Sequence, residues 1–292
     1  MIGKICGTGS SIPVKIMDND DLSNMVDTND AWIRERTGVE KRHIAESEST
    51  VSMAVEAGRR ALAQTGIRPE ELDMIVVSTM SPDAVLSCTA CEVQKAIGAE
   101  GAVCFDLQAA CTGFVFAYNT AQAYIQSNMC RTVLLIGSER LSRLVDWTDR
   151  GTCILFGDGA GAAVLKAAEG RAYLPVSHSD GKKGEALTCD RYIHMDGRAV
   201  FQFAVTRVPE VIREVLTKNE LLMDDIDYFV LHQANRRIVE AVAKRLRQPI
   251  EKFPMNLQEY GNTSSASIPI LLDEMNRSGK LKKGQKLVVA GF

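Results

Sequence analysis

The stretch DLQAACTGFVFAY, Asp106–Tyr118, sets one cysteine between small residues and an apolar run at helical spacing. AVCFDL just before it reads as a buried strand, so the chain turns from strand to helix at Cys111. A helix N-terminus carries partial positive charge and free N–H groups, which lower the pKa of a cysteine placed there. Thr112-Gly113 keeps the space beside the sulfur open. The Cys111 N–H is a ready donor to an oxyanion formed on an attacked thioester. Read alone, Cys111 is also simply a small buried residue beginning a core helix.

The same alternation extends outward. Asp73–Thr79 (DMIVVST), TVLLIGS, GAAVLKA, Asp227–His232 (DYFVLH) and Lys286–Phe292 (KLVVAGF) read as strands, and they are separated by helical segments. Continuous apolar strands between helices indicate a sheet covered on both faces. Phe201–Lys218 carries Val205, Val208, Ile212 and Val215 at helical spacing, with Pro209 expected to bend that helix or mark its first turn. GDGAGAAV (Gly157–Val164) lacks the strand–GxGxxG–helix order of a dinucleotide site and reads as a tight structural loop.

A weak repeat runs through these elements. RPEELDMIVVS pairs with LLMDDIDYFVLH, VCFDLQAACTG with FPMNLQEYGNTSSAS, and TVLLIGS with KLVVAGF, in the same order. The reading is two pseudo-symmetric halves, residues 1–166 and 167–292, in which Cys111 and the pair Gly261–Asn262 occupy equivalent turns. His232 ends an equivalent strand, so the three residues are expected to meet at the carboxyl ends of strands, where α/β folds place sites. Taken singly, His232 is also a satisfied core histidine and Asn262 a turn residue or N-cap.

At 292 residues the chain is long enough for one large domain or two medium ones, and its formal net charge of −3 gives no general attraction to nucleic acid or an anionic membrane. No apolar run reaches the roughly 20 residues of a membrane span. The N-terminus, MIGKICGTGSSIP, reads as a strand and turn rather than a signal peptide, and the expected location is the cytoplasm. Eight cysteines sit singly along the chain. Cys88 and Cys91 form a CxxC, but a zinc or redox site needs a second pair or a nearby histidine, and no metal is expected.

DLQAACTGFVFA, DWTDRGTCILFGDGAGAAVL, HQAN and GNTSSAS together resemble β-ketoacyl-[acyl-carrier-protein] synthase III, along the chain from Met1 to Phe292. The resemblance implies the thiolase fold, with two related halves in a five-layered α/β/α/β/α arrangement, and typically a homodimer. It implies that Cys111 is the acylated nucleophile and that His232 and Asn262 complete the triad. The implied reaction moves an acyl group, usually acetyl, from coenzyme A to Cys111. Decarboxylation of malonyl-acyl carrier protein then gives a carbanion that attacks the acyl-cysteine. No cofactor is implied, since the coenzyme A thioester is a substrate.

By the same resemblance Thr28, Trp32, Arg36, Arg150 and Gly151 bind coenzyme A, with Trp32 and Arg150 sandwiching its adenine. Met195 and Gly197 lie beside the pantetheine channel, and Leu86 lines the acyl pocket of the partner subunit. A leucine there, in place of a bulky aromatic, is expected to admit a longer or branched primer. Arg237, Lys244 and Arg245, near one face of the amphipathic run NRRIVEAVAKRLRQP, are expected to dock the acidic carrier protein. Read alone, that run is a solvated helix face with Glu240 as counter-charge.

Two departures accompany the resemblance. SHSDGKKGEALTCDR is shorter than the usual connection. The family continues past VVAGF through a glycine-rich turn, which supplies a second oxyanion donor, and a final strand. Competing readings are another thiolase-fold ketide or quinolone synthase and a truncated, catalytically weak homologue acting as a binding partner. A cysteine hydrolase fits poorly, because nothing supplies a carboxylate to orient His232.

Overall fold

The structure, a computed structural model, describes all 292 residues. Strand β1 (Ile2–Ser11) is followed by a short antiparallel pair, β2 (Ile16–Asp18) and β3 (Lys41–His43). Then come β4 (Met74–Ser78), β5 (Val103–Leu107), β6 (Thr132–Glu139) and β7 (Gly159–Ala168). These four and β1 form one sheet in the order β1-β7-β6-β4-β5. A small antiparallel pair, β8 (Leu187–Cys189) and β9 (Ile193–Met195), precedes the parallel pair β10 (Tyr228–Leu231) and β11 (Leu287–Ala290).

The helices are α1 (Asn19–Ser23), α2 (Asp30–Thr37), α3 (Thr50–Thr65), α4 (Thr89–Ile97) and α5 (Gly113–Gln126), followed by α6 (Arg150–Cys153), α7 (Gly197–Lys218), α8 (Arg236–Leu246), α9 (Leu257–Tyr260) and α10 (Ser267–Arg277).

Strand periodicity sorts the layers. Side chains alternate across a strand, so Ile75 and Val77 of β4 and Leu134 and Ile136 of β6 pack on α3 and α4. Their neighbours Met74, Val76, Val133 and Leu135 pack on Phe114, Ala117, Ile268 and Leu271 of α5 and α10. Val230 of β10 reaches the same central layer from the other side. Phe229, Leu231, Val288 and Ala290 face outward onto α7 and α8. Five layers result: α3/α4, the large sheet, α5/α10, the β10–β11 sheet, and α7/α8. β4 and β6 are buried along their whole length, which explains their apolar runs Met74–Val77 and Val133–Ile136.

Three expectations need correction. The presumed tight loop Gly157–Val164 is mostly strand. From Gly159 onward its small residues pair with β1 and β6, and a row of Gly and Ala lets helix α10 approach closely. That strand runs to Ala168, past the expected boundary at residue 166. Pro209 is interior to α7 rather than in its first turn, because the Asp196 carboxylate caps the helix at Arg198 and Ala199.

Candidate active site

Two strand-to-helix turns meet at the centre of the molecule. In the first, Ala110 adopts a left-handed φ of 44°, Ala110–Thr112 form one 3-10 turn, and α5 begins at Gly113. In the second, Ser264 adopts a φ of 48°, Ser264–Ala266 form the 3-10 turn, and α10 begins at Ser267. The surroundings match as well. Ser265 presses its carbonyl on Gly137 of β6, while the Cys111 carbonyl lies against Gly291, just after β11. A side chain at Gly137 would meet the Ser265 oxygen at 2.4 Å.

The structural counterpart of Cys111 is therefore Ser265, not the Gly261–Asn262 pair that the sequence repeat put there. The second stretch reaches its turn later because the shared Leu-Gln pair there opens α9, a helical turn that the first stretch lacks. Asn262 instead lies on the approach. Its N–H donates to the Leu155 carbonyl at 2.8 Å, its carbonyl accepts from Gly157 at 3.0 Å, and its Oδ1 accepts from the Ser264 N–H at 2.8 Å. With Oδ1 so engaged, the amide Nδ2 is left as the donor.

Ser264 joins the three candidate residues. Its turn packs on the Cys111 turn, its hydroxyl donates to the Met80 sulfur at 3.8 Å, its N–H holds Asn262, and its carbonyl lies beside the His232 ring. His232 follows β10, its N–H bonded to the Ala290 carbonyl at 2.8 Å. Its Nδ1 pairs with the Ser267 hydroxyl at 2.8 Å, the Phe292 ring packs at 5.1 Å, and its buried Nε2 has no protein partner.

Burial pushes the His232 pKa down to about 3, so the ring is neutral at neutral pH. Burial pushes the Cys111 thiol up to about 11, opposed by the Ser264 hydroxyl and reinforced by the charge of Glu139. The sequence suggested a lowered thiol pKa. Here desolvation outweighs the helix terminus, and the sulfur is a neutral thiol until something else drives its ionisation.

Sequence reasoning missed Ser264, Ser267 and Glu139. The serines lie inside the quoted GNTSSAS, but only folding shows which of them faces which partner. Glu139, at the end of an apolar strand, carried no local signal.

A second group of candidates gathers around Trp32. The Arg150 guanidinium stacks on its ring at 4.1 Å and that of Arg36 lies at 5.8 Å. Met195 and Trp32 both pack against one apolar cluster. The buried Thr28 hydroxyl has no partner. Asp149 caps α6 through the Gly151 N–H at 2.8 Å, which fixes Arg150 at the helix start. Gly197 begins α7 beside the Met195 methyl. An adenine between Trp32 and Arg150 requires the stacked pair to part by one ring thickness.

Arg237, Lys244 and Arg245 are exposed on α8, whose N-terminal residue Asn235 bonds the Arg36 carbonyl at 2.9 Å. Glu240 neutralises Arg236 at 2.8 Å and leaves those three cations without a carboxylate partner. Leu86 is 87% exposed beside Val85 at 93%. Cys104 of β5 adds a third thiol beside Cys88 and Cys91.

Residues 105–181 match the family described as 3-oxoacyl-[acyl-carrier-protein (ACP)] synthase III, and residues 216–292 match its C-terminal part. A β-ketoacyl-[acyl-carrier-protein] synthase III of Clostridium novyi (strain NT) is 46% identical over 306 aligned positions, covering 99% of this chain and 94% of the relative. The crystal structure of 3-oxoacyl-[acyl-carrier-protein] synthase III from Aquifex aeolicus VF5 superposes with a TM-score of 0.97 at 43% identity, covering 99% and 95% of the two chains. The priming β-ketosynthase of the R1128 polyketide pathway superposes at 0.95 with 35% identity, covering 99% and 91%. With this breadth of identity and the five-layered thiolase architecture, the chain belongs to the β-ketoacyl-[acyl-carrier-protein] synthase III family.

Proposed function

We propose that this chain is the initiating condensing enzyme of type II fatty-acid synthesis, with Cys111 as its acyl carrier. The observation that carries the assignment of residues is that the Ser264–Ser267 stretch, which packs on the Cys111 turn, holds both Asn262 and His232. In the first half-reaction the Cys111 sulfur attacks the acetyl-CoA carbonyl, and coenzyme A leaves as its thiol with the proton that Cys111 gives up. In the second, malonyl-acyl carrier protein loses carbon dioxide. The carbanion attacks the acyl-cysteine carbonyl, and the C–S bond breaks to release the β-ketoacyl-carrier protein and free Cys111.

The negative charge that develops on the malonyl thioester oxygen needs donors that bring no charge of their own against it. Asn262 Nδ2 and His232 Nε2 suit that task. One is an amide, and the other is on a ring that burial holds neutral. A hydrolase would use the histidine as a base oriented by a carboxylate, whereas here the partner of Nδ1 is the Ser267 hydroxyl. The chemistry calls on no cofactor beyond its thioester substrates.

Trp32, Arg36, Arg150, Gly151, Thr28, Met195 and Gly197 form the proposed coenzyme A path. Arg237, Lys244 and Arg245 form the proposed carrier docking face, which α8 sets beside α2 and hence beside Trp32. Charge reversal at Arg237 is expected to weaken carrier-protein binding while leaving acetyl transfer from coenzyme A unchanged; equal carrier affinity would remove the docking role.

Val85 and Leu86 before α4, with Val103 of edge strand β5, expose apolar surface that a second copy would cover, and the proposed homodimer places Leu86 in its partner's acyl pocket. Eight unpaired cysteines suit a reducing cytoplasm. The two-half division is retained, with its boundary after β7.

Intact-protein mass after incubation with acetyl-CoA tests the assignment. One acetyl adduct is expected, absent from Cys111→Ala; folded protein without an adduct would favour a non-catalytic binding role. Isobutyryl-CoA in the same assay reads the Leu86 pocket, since an adduct formed from acetyl-CoA alone would contradict a pocket open to branched primers.

A further inference from the structure

Glu139 is a fully buried carboxylate that the proposed chemistry does not use. It ends β6 and gathers donors from two other segments. Its Oε2 accepts from the Ser81 hydroxyl at 2.6 Å, the Met80 N–H at 3.1 Å and the Thr79 hydroxyl at 3.2 Å, all just after β4. Its Oε1 accepts from the Ser265 hydroxyl at 2.6 Å. Ser265 is the counterpart of Cys111 in the second turn, and its neighbour Ser264 holds Asn262. The carboxylate thus holds against the sheet the turn that packs on the Cys111 turn.

We propose that Glu139 is a positioning residue for Cys111: it anchors the Ser264–Ser265 turn, and its charge, when present, opposes the negative charge that forms on the Cys111 sulfur.

The surroundings leave that coupling uncompensated. The groups facing Glu139 from the segment after β4 and from the second turn are hydroxyls and an N–H. Arg140, next in the chain, turns its guanidinium to the carbonyls of Ala45 and Glu46. Asp158, next to the strand partner Gly159, accepts from Ala45 and Ser142. Asp83, farther along the segment after β4, pairs with Arg143 and accepts from the Thr50 and Val51 N–H groups. The turn that Glu139 holds through Ser265 packs on the nucleophile's turn, where the one titratable group is Cys111; burial raises its thiol and the charge of Glu139 adds to that.

A neutral carboxyl also has a ready place for its proton. Protonated on Oε1, it donates to the Ser265 hydroxyl, which in turn donates to the Ser78 carbonyl at 3.0 Å. Burial accordingly raises Glu139 to about 7, so both forms are present near neutrality.

The inference rests on Cys111 as nucleophile, and its test does not need acyl transfer. The rate of Cys111 alkylation by iodoacetamide, followed by peptide mass, is measured against pH for wild type, Glu139→Gln and Glu139→Asp. Glutamine keeps the shape, with its NH₂ toward Ser265. It is expected to move the pH midpoint of alkylation downward and to speed alkylation at about pH 8 by at least roughly threefold, as loss of a neighbouring like charge requires. Aspartate keeps the charge and is expected to keep the wild-type midpoint. A midpoint unchanged in Glu139→Gln, with only a slower rate, would show a purely structural anchor and overturn the charge coupling.

Should Glu139→Gln fail to fold by circular dichroism, Ser265→Ala serves instead. Losing that hydroxyl leaves Glu139 neutral more often, and an unaltered profile would again overturn the proposal. An acetyl-CoA adduct that fails to form while the alkylation profile shifts would count against the proposed reaction and leave this coupling standing.

Discussion

The two strand-to-helix turns share a backbone and differ in what they hold. Each places a non-glycine residue in the left-handed region, follows it with one 3-10 turn, and opens a helix into the central layer. At the next position the first turn carries Cys111, half-buried and reachable, and the second carries Ser265, buried and bonded to Glu139. The strand ends differ in the same way. β10 is followed by His232, whose Nδ1 meets Ser267, while β4 ends in Ser78, whose hydroxyl lies against Gly113. One copy of the device presents the candidate nucleophile and the other is packed as its support. Left-handed alanine and serine cost on the order of 1–2 kcal/mol each, and packing from both sheets holds them in place.

The sharpest way to break this comparison is to remove the nucleophile. Cys111→Ala is expected to lower condensation, measured with acetyl-CoA and malonyl-carrier protein, by at least roughly a thousandfold with the fold intact. Residual activity near wild type would mean that the first turn is not the reacting one.

A smaller but still large loss is expected from the approach to the second turn. Asn262→Asp keeps an oxygen for the Ser264 N–H but sets a negative charge beside the developing enolate. Decarboxylation of malonyl-carrier protein should fall by roughly a hundredfold or more, while acetylation of Cys111 persists.

The backbone itself is tested at the two glycines. Gly137→Ala drives a methyl to 2.4 Å from the Ser265 carbonyl oxygen, and Gly291→Ala drives one to only 3.1 Å from the nearest atom of Thr112. Denaturant unfolding should show a loss of roughly 1–3 kcal/mol for Gly137→Ala and a lesser one for Gly291→Ala. Equal losses would undo the view that the second turn is the packed support.

The subtlest signal is the dependence of stability on pH. Glu139 is raised from 4.5 to about 7, so the native state holds this proton more tightly than the unfolded chain. Its contribution is full below about 4.5 and is lost as pH rises through about 7. His232 is lowered from 6.5 to about 3, so its contribution is present above 6.5 and is lost as pH falls toward about 3. In thermal melts across this range, Glu139→Gln should flatten the decline on the alkaline side and His232→Asn the decline on the acid side. A variant that leaves its own limb unchanged would show that the group does not titrate between the two states.

Much of this was legible in the sequence, for definite reasons. Apolar runs such as Met74–Val77 and Val133–Ile136 announce a sheet buried on both faces, and their spacing with helices announces the layered class. Cys111, His232, Asn262, Trp32 and Arg150 were marked by short motifs that the family resemblance could address residue by residue. The Gly157–Val164 segment was misread because small residues look like a loop when nothing shows the helix they make room for. The repeat was seen but misaligned, since an inserted helical turn at Leu257–Tyr260 shifts the second half against the first.

The sequence by itself therefore determined the class of fold and the chemistry expected of it, and it marked Cys111 as the candidate nucleophile. These follow from periodicity along the chain and from residue types whose reactivity is their own. Only the tertiary structure decided that Ser265 stands where Cys111 stands in the other half, that Ser264 joins the three reactive groups, and that Glu139 lies behind them. Those facts are set by distances between segments far apart in the chain, Glu139 and Ser265 among them, and desolvation there shifts thiol, imidazole and carboxyl in ways that no local pattern records.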